Sequence, residues 1–198
     1  MSRLILAAAS RSRARMLKNA GISAEAIASG VDEDVIKREG QIDGLLMDDI
    51  AMALAQAKAR AVSTQYPNAL VNGADQILVC DGQNYDKPHD MVEARRHLQS
   101  LSGKRHELLT AACIAVGAVG DDIVWQHLSA PQLRMRVLDE SFIATYLETA
   151  GPVVLESVGA YQLEGRGAQL FDHVEGDFFL FWACLCCRSW HFCGNKAR

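Results

Sequence analysis

The chain has 198 residues, of which 49% are hydrophobic and 22% charged, with 15 Gly and 4 Pro. That composition supports one medium domain, or one domain in two lobes. It excludes a chain disordered throughout, a collagen-like repeat and a low-complexity sequence. A formal net charge of −4 disfavours a general nucleic-acid binder, whose surface is basic. A small anionic ligand held by a local basic cluster stays open.

The apolar run from Leu4 to Ala9 is too short to span a membrane, and arginines follow it at once. It lacks the charged start, long apolar centre and cleavage site of a secretory signal. The expected compartment is the cytoplasm, with no membrane and no nucleic acid as partner. Six cysteines are present, but four of them (Cys184, Cys186, Cys187 and Cys193) crowd the last 15 residues. A disulfide framework would be spread along the chain.

Leu4 to Ala8 reads as a short strand. Ser10-Arg11-Ser12-Arg13 then turns into a helix through Met16, Leu17 and Ala20, closed by Gly21. A polar loop entering a helix N-terminus offers backbone N–H groups and the positive end of the helix dipole. With Arg11, Arg13 and Arg15 it is a candidate phosphate cradle; the plain alternative is a solvated turn with surface arginines. Asp48 to Val62 is a strong Ala-rich helix with Ile50, Leu54, Ala57 and Ala61 as its apolar stripe. Lys58 falls one residue past that stripe and reads, taken alone, as a surface lysine. Tyr66-Pro67-Asn68 marks a loop.

Ala69 to Cys80 reads as a buried strand interrupted by Gly73-Ala74-Asp75-Gln76. An aspartate between apolar runs is costly to bury unless paired or metal-bound. Asp75 is therefore expected at a strand end facing a cleft, with a hairpin turn as the alternative. Asp81-Gly82 signals a turn, and Lys87 is held extended by Pro88. Glu93 to Leu101 reads as a helix ended by Ser102-Gly103. Glu107 to Val124 is strand-like around a Gly120-Asp121-Asp122 turn, and His127 to Val137 reads as one strand paired with it. Asp139 is positioned to cap a helix running to Thr149, with Phe142, Ile143, Tyr146 and Leu147 on its apolar face. Ser157 to Ala168, rich in Gly and polar groups, reads as a binding loop. Alternating strands and helices give an α/β class.

From Leu180 on, the composition shifts abruptly to LFWACLCCRSWHFCGNKAR. One reading is a zinc site from Cys184, Cys187, His191 and Cys193, although the spacing matches no common structural zinc site. Another is a shifted reading frame. Written in compatible codons from Phe181 and read one frame over, the segment becomes Leu-Gly-Leu-Pro-Leu-Leu-Pro-Leu-Leu, an apolar strand–turn–helix pattern. The expected boundaries are a folded domain over 1–179 and an atypical tail over 180–198.

Several segments together resemble the Maf family of nucleoside triphosphate pyrophosphatases, once called septum formation inhibitors. They are LILAAASRSRARML near the start, Val31-Asp32-Glu33, AQAKARAV around Lys58, Gly73 to Gln76, Asp86 to Pro88, LSGKRH at Leu101 to His106, and SVGAYQLEGRGAQL at Ser157 to Leu170. Each is weak alone; their order and spacing are specific over nearly the whole chain. The family's last motif, a Gly-Leu-Pro-Leu turn into a helix, is missing, and the shifted-frame translation restores it at the expected position.

The resemblance implies a fold like that of inosine-triphosphate pyrophosphatases, a long bent mixed sheet flanked by helices in two lobes with a central cleft. It implies cleavage of a nucleoside triphosphate to monophosphate and pyrophosphate, assisted by Mg²⁺ or Mn²⁺, and a homodimer as a family expectation. It gives Asp75 the catalytic carboxylate role and makes Glu33 and Asp75 the metal ligands, with Asp32 and Asp34 as substitutes for Glu33. Ser10, Arg13, Lys58 and Lys87 are its phosphate-binding groups. The chain departs from the family at Ala8, commonly Ser, and at Arg11-Ser12-Arg13, often Pro-Arg-Arg. Ser12, Gln76 and Glu164 are specificity positions. Gln76 and Glu164 resemble the branch acting on 7-methyl-GTP, since a carboxylate at Glu164 suits the donor edge of guanine. The alternative is a non-catalytic nucleotide-binding regulator of cell division.

Overall fold

The computed structural model describes residues 3–8, 10–117 and 123–176. In chain order its elements are β1 (Arg3–Leu6), α1 (Arg11–Asn19), β2 (Glu25–Ala26), α2 (Glu33–Ile42), α3 (Met47–Ser63), β3 (Ala69–Cys80), β4 (Gln83–Tyr85), α4 (Met91–Leu101), β5 (Arg105–Val116), β6 (Ile123–Ser129), β7 (Gln132–Met135), α5 (Glu140–Ala150) and β8 (Phe171–Glu175), with 3₁₀ turns between the last two. Among the described residues, these eight strands form one sheet in the order β2-β1-β3-β5-β7-β8, with β4 on β3 and β6 on β5. It is parallel at β2-β1-β3 and antiparallel at the other pairings with a defined register. The α/β class with a mixed sheet flanked by helices is the one expected. No helix among the described residues is long and apolar enough to cross a membrane.

The chain forms two compact units. Residues up to 76 and 110–129 make the first, and residues 77–109 and 130–176 the second. In the first unit, β1 pairs with β3 from Arg3↔Ala69 to Leu6↔Asn72. Parallel pairing requires crossover connections, which α1, α2 and α3 supply. The buried face of α3 carries Ile50, Ala51, Leu54, Ala55, Lys58, Ala59 and Val62. That face is turned from the expected one: Ala57 and Ala61 are only half-buried, and Lys58 is buried. Gly73 is the reason. A Cβ there would stand 2.1 Å from the Ala55 carbonyl oxygen and 2.8 Å from Ala59 Cβ. The helix therefore lies directly on β3, where a glycine and a seam of alanines permit it.

β3 runs unbroken for 12 residues. The expected interruption at Gly73–Gln76 does not occur, and Asp75 sits within the strand, not at its end. A mid-strand aspartate is tolerated because α3 carries a cation to it, as described below. Similarly, α2 was not legible as a helix. Its start is set by Asp32, whose side chain accepts from Val35 N at 3.1 Å.

In the second unit, Asp81 (φ 51°) and Gly82 (φ 76°) make the tight turn joining β3 to β4. Asp90 caps α4, accepting from Glu93 N at 2.7 Å, and Asp139 caps α5, accepting from Phe142 N at 2.8 Å. The stretch expected as one strand over His127–Val137 is two. β6 pairs with Thr110–Ala115 in the first unit, and β7 pairs with Arg105–Glu107 in the second. The break falls at Ala130-Pro131, because proline has no N–H with which to continue a ladder. Ser157–Ala168 is not a plain loop but a run of 3₁₀ turns feeding β8. The Gly120-Asp121-Asp122 turn, the tail boundary at 179/180, the zinc reading and the shifted-frame reading all lie outside the described residues.

Candidate active site

Three elements of the first unit bring charges together. Lys58, from the buried face of α3, donates from Nζ to Asp75 Oδ1 of β3 at 2.5 Å and lies 2.8 Å from Glu33 Oε1 at the start of α2. Lys58 and Asp75 are 7% and 6% exposed, whereas the Glu33 side chain keeps 41% of its surface. One cation thus binds two carboxylates, one desolvated and one facing water. Asp32 caps α2, accepting from Val35 N through Oδ1, and Asp34 is exposed.

Burial pushes the Asp75 carboxyl above the ordinary carboxylate range, and Glu33 adds to the rise. Lys58 and Arg13 oppose it. The outcome is a carboxylate more basic than usual beside a fixed ammonium, the character required of a general base working near neutral pH.

The N-terminus of α1 completes this group. Ser10 is its N-cap, accepting from Arg13 N at 3.3 Å. The Arg13 guanidinium donates to the Ala74 carbonyl at 3.0 Å, so it is tied to the residue preceding Asp75. No acidic residue occupies the first turn of α1, and half-buried Ser12 lies there. Gln76, on the opposite face of β3 from Asp75, donates from Nε2 to Thr110 Oγ1 of β5 at 3.2 Å.

Ser10, Arg13, Glu33, Lys58, Asp75 and Gln76 therefore share one unit, while Lys87 and Glu164 belong to the second. Lys87 is exposed in the segment between β4 and α4, ahead of buried Pro88. Glu164 is half-buried in the turn after Tyr161. Burial, together with the Glu164 charge, pushes the Tyr146 phenol up to about 12. The Tyr146 hydroxyl donates to the Ala160 carbonyl at 3.3 Å, next to Gly159, whose φ of 72° glycine alone adopts without strain.

Sequence reasoning missed two contributors. Thr110, the partner of Gln76, is one polar residue inside an apolar strand, and that was its only signal. The packing role of Gly73 was hidden because the motif was read as an interruption of the strand.

Among the described residues, no group of three or more His, Cys, Asp or Glu side chains converges to hold a metal. Glu33 and Asp75 nevertheless offer two hard oxygen donors near one point. That fits Mg²⁺, which is commonly held by one or two carboxylates plus substrate phosphates, and not by a complete protein cage.

The Maf-like protein family model matches residues 3–180. A nucleoside triphosphate pyrophosphatase of Granulibacter bethesdensis is 45% identical over 177 residues, covering 89% of this chain and 88% of that protein. A 7-methyl-GTP pyrophosphatase of Rhizobium meliloti is 44% identical over 176 residues, covering 89% and 87%. Another 7-methyl-GTP pyrophosphatase, from Brucella abortus, is 42% identical over 177 residues with the same coverage. With the ordered motifs, the mixed sheet and the match over nearly its whole length, the chain belongs to the Maf family.

Proposed function

We propose that this chain hydrolyses a nucleoside triphosphate between its α- and β-phosphates, releasing the monophosphate and pyrophosphate, and that 7-methyl-GTP is among its substrates. The observation that carries the reading is the buried Lys58 ammonium shared by Asp75 and Glu33, beside a helix N-terminus to which Arg13 is tied. A nucleoside triphosphate carries about four negative charges, so its site needs cations and fixed N–H donors. The relatives named as pyrophosphatases support the same chemistry.

In this reading the first turn of α1, with Ser10 and Arg13, holds phosphate oxygens. Asp75 accepts a proton from the attacking water, for which its raised basicity suits it. Lys58 fixes the Asp75 carboxylate and counters the charge that develops on phosphorus oxygens. A divalent cation, held by Glu33 and Asp75 with the substrate's own oxygens, would polarise the phosphoryl group when bound. Lys87 adds a further phosphate contact. Ser12, Gln76 and Glu164 read the base, Glu164 by accepting from the N1–H and amino group of guanine.

Pyrophosphate release from 7-methyl-GTP, GTP, dTTP, UTP and ITP, measured side by side with Mg²⁺ or Mn²⁺, tests the proposal. The expected result is metal-dependent turnover with 7-methyl-GTP ahead of dTTP. Nucleotide binding with no turnover of any substrate would favour the non-catalytic reading.

A further inference from the structure

In the second unit, α4 holds the segment that carries Lys87 at two points. On one side of that segment is buried Tyr85 of β4, whose hydroxyl shares a hydrogen bond with Ser100 Oγ at 2.6 Å. The Tyr85 ring meets His97 of the same helix edge-on, with centroids 5.2 Å apart. On the other side, the Glu93 carboxylate accepts from the His89 backbone N–H through Oε2 at 2.7 Å. Its Oε1 lies 3.9 Å from His97 Nε2. Asp86, Lys87 and Pro88 are all that separates the two anchors.

The Glu93 bond is not the one a helix start requires. Asp90 already caps α4 by accepting from Glu93 N. In a capping box the third helical residue reaches back to the N–H of the cap itself. Glu93 reaches one residue further, to His89, and so fixes chain that lies outside the helix. Between His89 and Lys87 stands buried Pro88. Its ring locks its own φ and keeps the residue before it extended. Anchoring the His89 N–H therefore sets the direction in which exposed Lys87 leaves the backbone.

We propose that Glu93 is a positioning residue for Lys87: through the His89 N–H it holds the Lys87-Pro88-His89 segment so that the lysine ammonium is presented to the substrate's phosphates. The inference rests on the phosphate contact proposed for Lys87 above and adds to it a residue that touches no substrate. A lysine gives up rotamer freedom when its head is fixed. A mobile backbone beneath it would add to that loss, and the Glu93 tether removes the addition before substrate arrives. Phosphates are common to all nucleoside triphosphates, so the effect is independent of the base.

The test uses the full chain. It measures binding of inorganic tripolyphosphate with Mg²⁺ by calorimetry, and kcat and KM for 7-methyl-GTP and dTTP. The variants are Lys87→Met, Glu93→Ala, Glu93→Gln, which keeps an oxygen acceptor for the His89 N–H, and Lys87→Met/Glu93→Ala. Lys87→Met should weaken tripolyphosphate binding and raise KM by about tenfold. Glu93→Ala should do the same by about fivefold, equally for both bases and with kcat little changed. Glu93→Gln should stay within about twofold of wild type, and the double variant should be no worse than Lys87→Met alone. Hydrogen exchange at the His89 amide should quicken in Glu93→Ala and not in Glu93→Gln, which separates a lost tether from a lost fold. If Glu93→Ala binds and turns over like wild type while Lys87→Met does not, the positioning role is overturned and the Lys87 contact stands. If the two losses add in full, Glu93 acts elsewhere and the proposal is overturned; it falls also if Lys87→Met binds tripolyphosphate as wild type does. If the wild type hydrolyses no triphosphate, the pyrophosphatase reading fails, and tripolyphosphate binding still decides: a loss in Glu93→Ala that Glu93→Gln restores upholds the positioning role, and no loss overturns it.

Discussion

Each unit buries a titratable cluster, and the two settle the cost of doing so in opposite ways. In the first, Asp75 and Lys58 face each other as ions, with Glu33 at the water side. In the second, His106 is 2% exposed and its Nε2 lies 2.9 Å from the Tyr161 hydroxyl. The Phe171 ring packs 5.7 Å from His106 and 4.8 Å from Tyr161, centroid to centroid. Burial pushes the His106 imidazole down to about 4, and burial raises the Tyr161 phenol. The second cluster discards its charge and becomes ordinary core. The first keeps its ion pair where burial makes charge expensive, as the proposed catalytic role requires.

The two clusters should also give stability of opposite sign against pH. Asp75 binds its proton more tightly in the folded chain than in the unfolded one. Its contribution is thus most favourable below the ordinary carboxylate pKa and declines as pH rises through the raised folded value. His106 binds its proton less tightly when folded. Its contribution is complete above the unfolded value of 6.5 and is lost as pH falls towards about 4.

The largest expected effect is on catalysis. Asp75→Asn removes the base and should lower kcat by about 100-fold or more, measured as pyrophosphate release, while the folded far-UV signal persists. Turnover near wild type would put the base elsewhere. Next, Lys58→Met leaves two carboxylates without their shared cation and should destabilise the chain by about 3–5 kcal/mol in denaturant titration. Because Lys58 holds the Asp75 pKa down, the acidic limb of the kcat/KM profile should move to higher pH in this variant. An unmoved limb would separate Asp75 from the rate.

On the neutral side of the comparison, the double variant His106→Leu/Tyr161→Phe removes the polar pair together. Wild-type stability should fall between pH 6.5 and 4 by up to about 3 kcal/mol from His106. The double variant should lose that part of the slope and keep its activity at neutral pH. Gly73→Ala should cost about 1–3 kcal/mol, because the new methyl meets the Ala55 carbonyl and α3 must shift off β3. It should lower kcat as well, since Lys58 moves with the helix; loss of stability without loss of kcat would show that the site tolerates the shift. The smallest effect is Glu164→Gln, which should lower kcat/KM for 7-methyl-GTP relative to dTTP by about tenfold through one weakened charged hydrogen bond. An equal drop for both substrates would remove Glu164 from base recognition.

Much of this was legible in the chain itself, for reasons that can be named. Capping residues and turn pairs are local signals, so α1, α3, α4, α5 and the Asp81-Gly82 turn stand close to where the sequence puts them. The Asp75, Lys58 and Glu33 set could be assembled only through resemblance, because its members lie 25 and 17 residues apart in sequence, and meet through packing. Lys58 illustrates the limit. Helical periodicity put it on the surface, and a glycine on another element turned the helix so that it is buried. Asp75 illustrates the same limit in reverse, since an isolated aspartate argues against mid-strand burial until its lysine is known. Pro131 was the one signal that should have divided β6 from β7.

The Lys58–Asp75–Glu33 cluster is proposed to cleave a triphosphate between its α- and β-phosphates. The most direct measurement follows the products of 7-methyl-GTP by phosphorus NMR, with the wild type and Asp75→Asn at equal concentration in Mg²⁺. The expected spectra contain the nucleoside monophosphate and pyrophosphate from the wild type, and almost unchanged substrate from Asp75→Asn. Orthophosphate with the nucleoside diphosphate as first products, or equal turnover by the two proteins, would contradict the account.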